Sequence, residues 1–312
     1  MYDLIIIGGG PAGITAGIYS GRQKLSTLLI SKEIGGQLMK KAGMIENYPG
    51  FKEIPALELI QKFHDHLKKI VSEKLIELKL DEVVKVKKEK EIFLIFTKKQ
   101  ERFQSKALIV AVGTIPRKLN VPGEREYIGK GVSYCVTCDG PLFKDKTVAI
   151  IGGGNSALEA ALFLSKIAKK IYILEARERL GGDRENQERV RKLPNVTILL
   201  NVIVKEIRGE KFVNCLLYQE KNTKKEIPLS IDGIFIEIGG TPETSFLGDL
   251  VERNERKEII VDFETYQTKT PGLFAVGDVN TGKYKQIVIA CGEGAKSALF
   301  ANEYLQRLKK DI

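Results

Sequence analysis

The architecture of the chain is set by Tyr2-Asp-Leu-Ile-Ile-Ile-Gly8-Gly-Gly10-Pro11-Ala12-Gly13-Ile-Thr-Ala-Gly17. A continuous apolar strand runs into Gly8-x-Gly10-x-x-Gly13, and a helix of small residues follows. Strands that do not alternate are buried on both faces, as in a parallel sheet. The first glycine of such a turn permits the tight bend, the second lets backbone approach a pyrophosphate, and the third lets helix and strand pack closely. The helix start then offers free N–H groups and a positive partial charge to phosphates. The pattern returns 144 residues later in Thr147-Val-Ala-Ile-Ile-Gly152-Gly-Gly154-Asn155-Ser156-Ala157-Leu-Glu-Ala-Ala, where Ala157 takes the third place. The expected fold class is therefore α/β, with two dinucleotide-binding (Rossmann-like) domains.

Around these units the chain reads as strands and turns. Val83–Lys87 and Ile92–Thr97 form a lysine-rich meander, and Ala107–Val112 is an apolar strand ending at Gly113. Tyr172–Leu174, Val196–Leu200, Val213–Tyr218, Ile231–Ile238 and Leu273–Val276 read as further strands, and 286–308 as a closing helix. Pro and Gly cluster at Gly113–Pro122 and Gly239–Gly248. These clusters mark two crossings. The second unit, 115–244, is then inserted into the first, whose halves are 1–114 and 245–312.

The 312 residues suit about two domains of roughly 150 each. Apolar residues are 43% and charged residues 29%, which excludes a disordered or fibrous chain. No apolar run reaches the roughly 20 residues of a membrane helix. Leu4–Ile7 follows Met1 too closely for a signal peptide, so a cytoplasmic protein is expected, with no membrane partner. The net charge of +10 comes from lysines interleaved with glutamates. Without arginine–aromatic platforms that charge does not point to nucleic acid; it suits acidic protein partners.

The four cysteines include one close pair, in Ser133-Tyr-Cys135-Val-Thr-Cys138-Asp139-Gly140. Cys-x-x-Cys in an intracellular chain reads as a metal or redox site. Zinc needs four ligands. Cys215 and Cys291 are isolated, and the only histidines, His64 and His66, fall together in an expected helix. Redox chemistry is the favoured reading over a metal or two structural thiols, with no metal site expected. Asp139 beside the pair can hold or shuttle a proton.

Glu175 ends the second strand of the second unit, twenty-three residues after Gly152. A carboxylate there accepts the ribose 2′-OH and repels a 2′-phosphate. NADH is expected over NADPH, with Arg177 and Arg179 near enough to soften the preference. Thr270-x-x-x-x-Ala-Val-Gly277-Asp278 carries an Asp to a loop that suits a flavin ribityl hydroxyl, and the helix after Tyr284 presents its N-terminus nearby.

Taken together, the N-terminal flavin turn, the inserted nicotinamide unit and Cys135-x-x-Cys138-Asp139 resemble low-molecular-weight thioredoxin reductase along essentially the whole chain. Gly35-Gly36-Gln37-Leu38, Asn47 within Glu46–Gly50, Gly113-Thr114, and Lys285-Gln286-Ile287 fall where that family contacts FAD. Gly239 closes the nicotinamide unit. The second half is also similar to the flavoprotein component of alkyl hydroperoxide reductase, in Gly140-Pro-Leu-Phe-Lys144, Leu174-Glu175 and the stretch from Tyr284 to Ala295. That component carries extra thioredoxin-like modules ahead of its flavin turn, which are not expected here. The resemblance implies an FAD-dependent thioredoxin-disulfide reductase, a homodimer, with a separate thioredoxin or glutaredoxin-like dithiol protein as partner. By the same resemblance Cys138 faces the flavin, Cys135 attacks the partner disulfide, and Asp139 serves as acid and base. One departure stands out. The His-Arg-Arg run of NADPH-using members falls on Glu175-Ala176-Arg177, which weakens the case for NADPH. A ferredoxin-driven or peroxiredoxin-linked reductase of the same fold is the alternative. A non-enzymatic, disulfide-switched flavoprotein would carry the same groups but show negligible turnover.

Overall fold

The apolar run near the N-terminus serves two cores at once. In the strand Tyr2–Gly9, Leu4 and Ile6 pack with residues of the helices Pro11–Arg22 and Ile287–Lys310. Ile5 and Ile7 pack on the opposite face with Leu247, Val251, Ile259 and Val261. Cover on both faces is why the run does not alternate.

The computed structural model describes residues 1–40 and 44–310. The chain forms two units. One comprises Met1–Met39, Ile45–Ile115 and Thr241–Ile312; the other comprises Pro116–Gly240 together with Lys40–Met44.

In the first unit the sheet order is Glu77–Leu80, Thr27–Ile34, Tyr2–Gly9, Arg102–Val110, Ile92–Thr97, Val83–Glu89. Tyr2–Gly9 is parallel to both neighbours, with Ile6 opposite Leu29 and Ile109. Arg102–Val110 divides its pairing. Its first half is antiparallel to Ile92–Thr97, and its second half is parallel to Leu273–Ala275. The strand Leu273–Ala275 leads directly into Gly277 and Asp278, so this pairing delivers that loop to the end of the sheet. Helix Ile287–Lys310 crosses Pro11–Arg22 at very short range, since a Cβ on Gly294 would lie 2.2 Å from the Ala12 carbonyl oxygen. His64 and His66 lie in the helix Ala56–Ser72, whose Leu59, Ile60, Leu67 and Ile70 face the core.

The second unit has an all-parallel sheet ordered Val132–Ser133, Gly233–Ile236, Thr147–Ile151, Lys170–Glu175, Val196–Leu200. Val148, Ile150, Ile171 and Ile173 pack against the helix Asn155–Leu164. Ala149, Ile151 and Leu174 face the antiparallel meander Val202–Gly209, Val213–Glu220, Glu226–Ser230.

Strand limits differ from the sequence reading in two informative places. The ladder expected over Ile231–Ile238 is regular only over Gly233–Ile236, although Asp232 N–H donates to the Thr147 carbonyl and Glu237 N–H to Ile151 at its ends. The ladder expected over Ala107–Val112 begins at Arg102 and ends at Val110, because beyond it the Ala111 carbonyl lies against Gly8 and Gly113 turns with φ +63°.

Candidate dinucleotide and redox sites

The first turn is shaped by backbone contact. Gly8 has φ +116°, and a Cβ there would lie 2.3 Å from the Ala111 carbonyl oxygen. A Cβ on Gly13 would lie 1.8 Å from the Gly8 carbonyl oxygen. Over Gly10 it would meet nothing within 4 Å. Gly10 caps the helix Pro11–Arg22 with no side-chain hydrogen bond to its N-terminal amides. The outer two glycines are therefore packed, and the middle one leaves open space at the helix start. This cradle fits a pyrophosphate. Gly13→Ala is expected to destabilise the protein by at least about 2 kcal/mol, since its methyl meets backbone that cannot yield. Urea unfolding checks this; an unchanged midpoint would show that the turn relaxes.

Of the other candidate residues of the first unit, Gly35, Gly36 and Gly277 reach this turn or its helix, and the rest make contacts of their own. Gly35 N–H donates to the Gly9 carbonyl at 2.7 Å. A Cβ on Gly36 would lie 3.3 Å from Gly10 Cα. Gln37 Nε2 donates to the Thr114 carbonyl (2.8 Å) and Oγ1 (2.5 Å), beside Gly113. Leu38 is buried. Asn47 Nδ2 donates to Gln286 Oε1 at 3.1 Å, next to Ile287 at the helix start. A Cβ on Gly277 would lie 3.2 Å from the Ala12 Cβ, so the Gly277-Asp278 loop abuts the same helix. Lys285 pairs with Glu258 at 3.3 Å.

Glu293 is a residue the sequence reading passed over. It is buried, and its Oε2 accepts from Gly277 N–H (2.6 Å) and Asn280 Nδ2 (2.8 Å), which pins the loop carrying Asp278. Burial pushes its carboxyl above the ordinary 4.5, and the two donors do not cancel that. A raised acid prefers its protonated form in the fold. Its stabilising contribution is full below the unfolded value and is lost as pH rises through the folded one. Glu293→Gln keeps an oxygen for both donors and carries no charge. The variant is expected to lose that fall in stability and to melt no lower than the parent at neutral pH. Unfolding at a series of pH values above about 4 checks this; a variant that tracks the parent at every pH would refute it.

The second turn repeats the first. Gly152 has φ +121°, and its Cβ would lie 2.3 Å from the Glu237 carbonyl oxygen. Gly154 opens onto free space and caps Asn155–Leu164 without a side-chain bond. Ala157 is fully buried, so a methyl is accommodated where Gly13 admits none. Ser156 lies in the helix's first turn, and Asn155 Oδ1 accepts from Asp183 N–H at 2.6 Å. Gly239, with φ +85°, has open space over its Cα and accepts from Arg117 N–H.

Glu175 is 5% exposed, and its Oε2 would touch a Cβ on Gly153 at 2.5 Å. It is not free. Arg177 donates its backbone N–H (2.9 Å) and Nε (3.0 Å) to Oε1, and a terminal guanidinium nitrogen to Oε2 (3.0 Å). Burial alone would raise the carboxyl, but the Arg177 donors outweigh it and hold it below the usual carboxylate range. The Arg177 side chain is itself 59% exposed.

Cys135 and Cys138 form a disulfide, with Cα atoms 5.3 Å apart. Cys135 caps the short helix Val136–Asp139, and Cys138 N–H donates to Cys135 Sγ at 3.2 Å. Cys138 is exposed and Cys135 half-buried. Ser133 organises the group. Its hydroxyl donates to Asp139 Oδ2 at 2.6 Å and accepts from Cys135 N–H at 3.0 Å. Ser133 sits two residues before the pair, and only that position hinted at its role. A cavity of about 310 Å³ opens beside Cys135 and Asp139, lined also by Pro116, Ile128 and Tyr134; the 152–157 turn and Glu175 are not part of it. Of the two free cysteines, Cys291 is half-buried, and burial pushes its thiol up, away from a reactive thiolate.

Among the described residues no group of three or more His, Cys, Asp or Glu side chains stands together to hold a metal ion. No described helix is long and apolar enough to cross a membrane.

A family model described as pyridine nucleotide-disulphide oxidoreductase matches residues 2–294. The alkyl hydroperoxide reductase F protein of Staphylococcus aureus is 42% identical over 312 residues, covering 98% of this chain. The chain spans 59% of that relative's length. The crystal structure of Lactococcus lactis thioredoxin reductase in its FR conformation matches with a TM-score of 0.94 at 35% identity, over 98% of this chain and 100% of that one. Thioredoxin reductase of T. acidophilum matches with a TM-score of 0.90 at 37% identity, over 98% and 99%.

Proposed function

Since the chain belongs to the pyridine nucleotide-disulphide oxidoreductase family, we propose that it is an FAD-dependent thioredoxin-disulfide reductase that draws electrons from NADH. It passes them through Cys135 and Cys138 to a thioredoxin- or glutaredoxin-like dithiol protein. The observation that carries this reading is the Cys135–Cys138 disulfide tied to Asp139 through Ser133, in the unit that holds the second glycine turn. A cytoplasmic homodimer belongs to the same reading and rests on the resemblance.

The open cradle at Gly10 suits FAD. Gly8, Pro11, Ala12 and Gly13 would form its floor, and Gly35–Leu38, Asn47, Gly113, Thr114, Gly277, Asp278 and Lys285–Ile287 would supply its further contacts. When bound, FAD supplies the two-electron link between a nicotinamide and a disulfide. The turn at 152–157 and Glu175 receive the nicotinamide dinucleotide.

The chain's own side chains account for exchange with the partner. If it keeps its place on Cys135 Sγ after reduction, the Cys138 N–H favours negative charge there and makes Cys135 the attacking thiolate. It breaks the partner's S–S bond and forms a mixed disulfide. Cys138 then attacks Cys135 Sγ, restores the internal disulfide and releases the partner as a dithiol. Asp139, held by Ser133, supplies the proton that the leaving thiolate takes up.

A second reading makes the acceptor a peroxiredoxin-linked carrier, which the 42% identity to the hydroperoxide reductase relative favours. Anaerobic titration of the yellow protein with NADH and NADPH tests the donor at the flavin band. Turnover with a thioredoxin and with a peroxiredoxin-linked dithiol protein tests the acceptor. Fast bleaching by NADH and turnover with thioredoxin support the reading. Bleaching by neither nicotinamide would sink it and direct attention to ferredoxin.

A further inference from the structure

Glu124 lies in a stretch of charge, Gly123-Glu-Arg-Glu126, yet it alone of the three charged residues is buried, at 1% exposure. Three donors converge on its carboxylate. Leu119 N–H reaches Oε1 at 2.8 Å, Asn120 N–H reaches Oε2 at 2.6 Å, and the Tyr134 hydroxyl donates to Oε1. A buried carboxylate needs such donors, and losing one is costly.

The turn that presents Glu124 is firmly held. Pro122 accepts from Ile207 N–H at 3.0 Å. Gly123 has φ +83°, and a Cβ on it would lie 1.9 Å from the Ile207 carbonyl oxygen. The Tyr127 hydroxyl donates to the Gly209 carbonyl at 2.6 Å. Glu124 is thus a fixed acceptor in a turn held against the strand Val202–Gly209, and it accepts from Tyr134. Burial and the Glu124 carboxylate both push the Tyr134 phenol upward, so it stays a donor at any working pH.

Tyr134 stands between Ser133, which holds both Asp139 and the Cys135 N–H, and Cys135 itself. The backbone at Cys135 is extended, with φ −133° and ψ 97°, before the helix that carries Cys138 begins. We propose that Glu124, through the Tyr134 hydroxyl, is a positioning residue that keeps the Ser133–Cys135 segment set for Cys135 and Cys138 to close. This rests on the reading of the two cysteines as the redox pair. Holding that segment raises the effective concentration of one thiol at the other, and that favours the disulfide.

The test is equilibration of the whole protein with a dithiothreitol redox buffer. One S–S bond breaks in the protein, one forms in dithiothreitol, and two protons pass to Cys135 and Cys138. Alkylation and mass mapping then count the reduced pair apart from Cys215 and Cys291. Tyr134→Phe keeps the ring and removes the donor; Glu124→Gln keeps the shape and sets an amide N–H₂ against a donor. Both are expected to shift the equilibrium about three- to tenfold toward the dithiol, where tenfold corresponds to about 30 mV. Tyr2→Phe deletes a tyrosine–glutamate hydrogen bond of the first unit, to Glu77 at 2.8 Å, and is expected to leave the equilibrium within about twofold. A folded Tyr134→Phe with an unshifted equilibrium, or a Tyr2→Phe that shifts it equally, overturns the proposal. A parent protein whose pair exchanges nothing with dithiothreitol overturns instead the redox reading beneath it.

Discussion

Cys138→Ser is expected to reduce turnover with a disulfide partner by at least about 10³-fold while leaving nicotinamide-driven dye reduction within about twofold. Serine cannot accept or form an S–S bond, so the internal disulfide is lost outright and no second route for an electron pair remains at that position. Dye reduction needs only the dinucleotide sites, whose glycine turns Cys138 does not line. The variant also reports which sulfur meets the partner. If Cys135 is the nucleophile, as the Cys138 N–H on its Sγ argues, Cys138→Ser still attacks a partner disulfide but cannot resolve it. A stable mixed disulfide through Cys135 then accumulates and is seen by mass spectrometry without reductant. Cys135→Ser should trap far less. The outcomes separate the functional readings. Retained partner turnover in Cys138→Ser would mean that the pair is not in the path, as in a ferredoxin-linked reductase. A parent protein with FAD, an intact pair and no turnover with any donor would be a redox-responsive binding protein.

The parts of the site that could be read in the sequence are those where backbone geometry leaves few residue choices. Gly8 and Gly152 each meet the carbonyl of the residue just past a neighbouring strand, at the same distance, and no side chain fits there. Gly10 and Gly154 each open onto bare helix starts. Such constraints print themselves as glycine at fixed spacing. The unalternating strands were legible for a similar reason, because both faces are covered. What stayed hidden depends on contacts distant in sequence. Glu124 reads as one more surface charge, and only the clamp on Ile207 and Gly209, more than eighty residues away, buries it. Glu293 reads as part of a helix start, and its role follows from a loop sixteen residues earlier folding back onto it. Ser133 carries no signal beyond its nearness to Cys135. Arg177 was visible as a cation near Glu175, but a grip on both carboxylate oxygens is a matter of rotamer, which spacing does not specify.

That grip makes the Glu175–Arg177 pair the place where one substitution should change coenzyme choice most. The Glu175 carboxylate is buried at the end of Lys170–Glu175 against Gly153, whereas the Arg177 guanidinium is largely exposed. With the pair closed, Glu175 keeps lone pairs for a ribose hydroxyl, and its charge stands against a 2′-phosphate. Arg177 partly cancels that charge, so the parent should prefer NADH without rejecting NADPH outright. Glu175→Ala removes the acceptor and frees the guanidinium. A charge-assisted hydrogen bond contributes about 1.5–3 kcal/mol, with solvent screening on the exposed arginine placing it at the lower end. That amounts to roughly tenfold weaker NADH and tenfold tighter NADPH, a swing of about 100-fold in their ratio. Arg177→Ala acts the other way. It leaves a buried carboxylate with only backbone partners, and NADPH should weaken about tenfold while NADH changes little. Quenching titrations with both coenzymes read binding without requiring turnover. If both substitutions move the two affinities together, the pair braces the loop and does not select. If Glu175→Ala swings the ratio and Arg177→Ala does not, the selection resides in the carboxylate alone. Opposite swings would show that the strand-end carboxylate and its arginine set the choice as a pair, with the arginine as the part that a 2′-phosphate recruits.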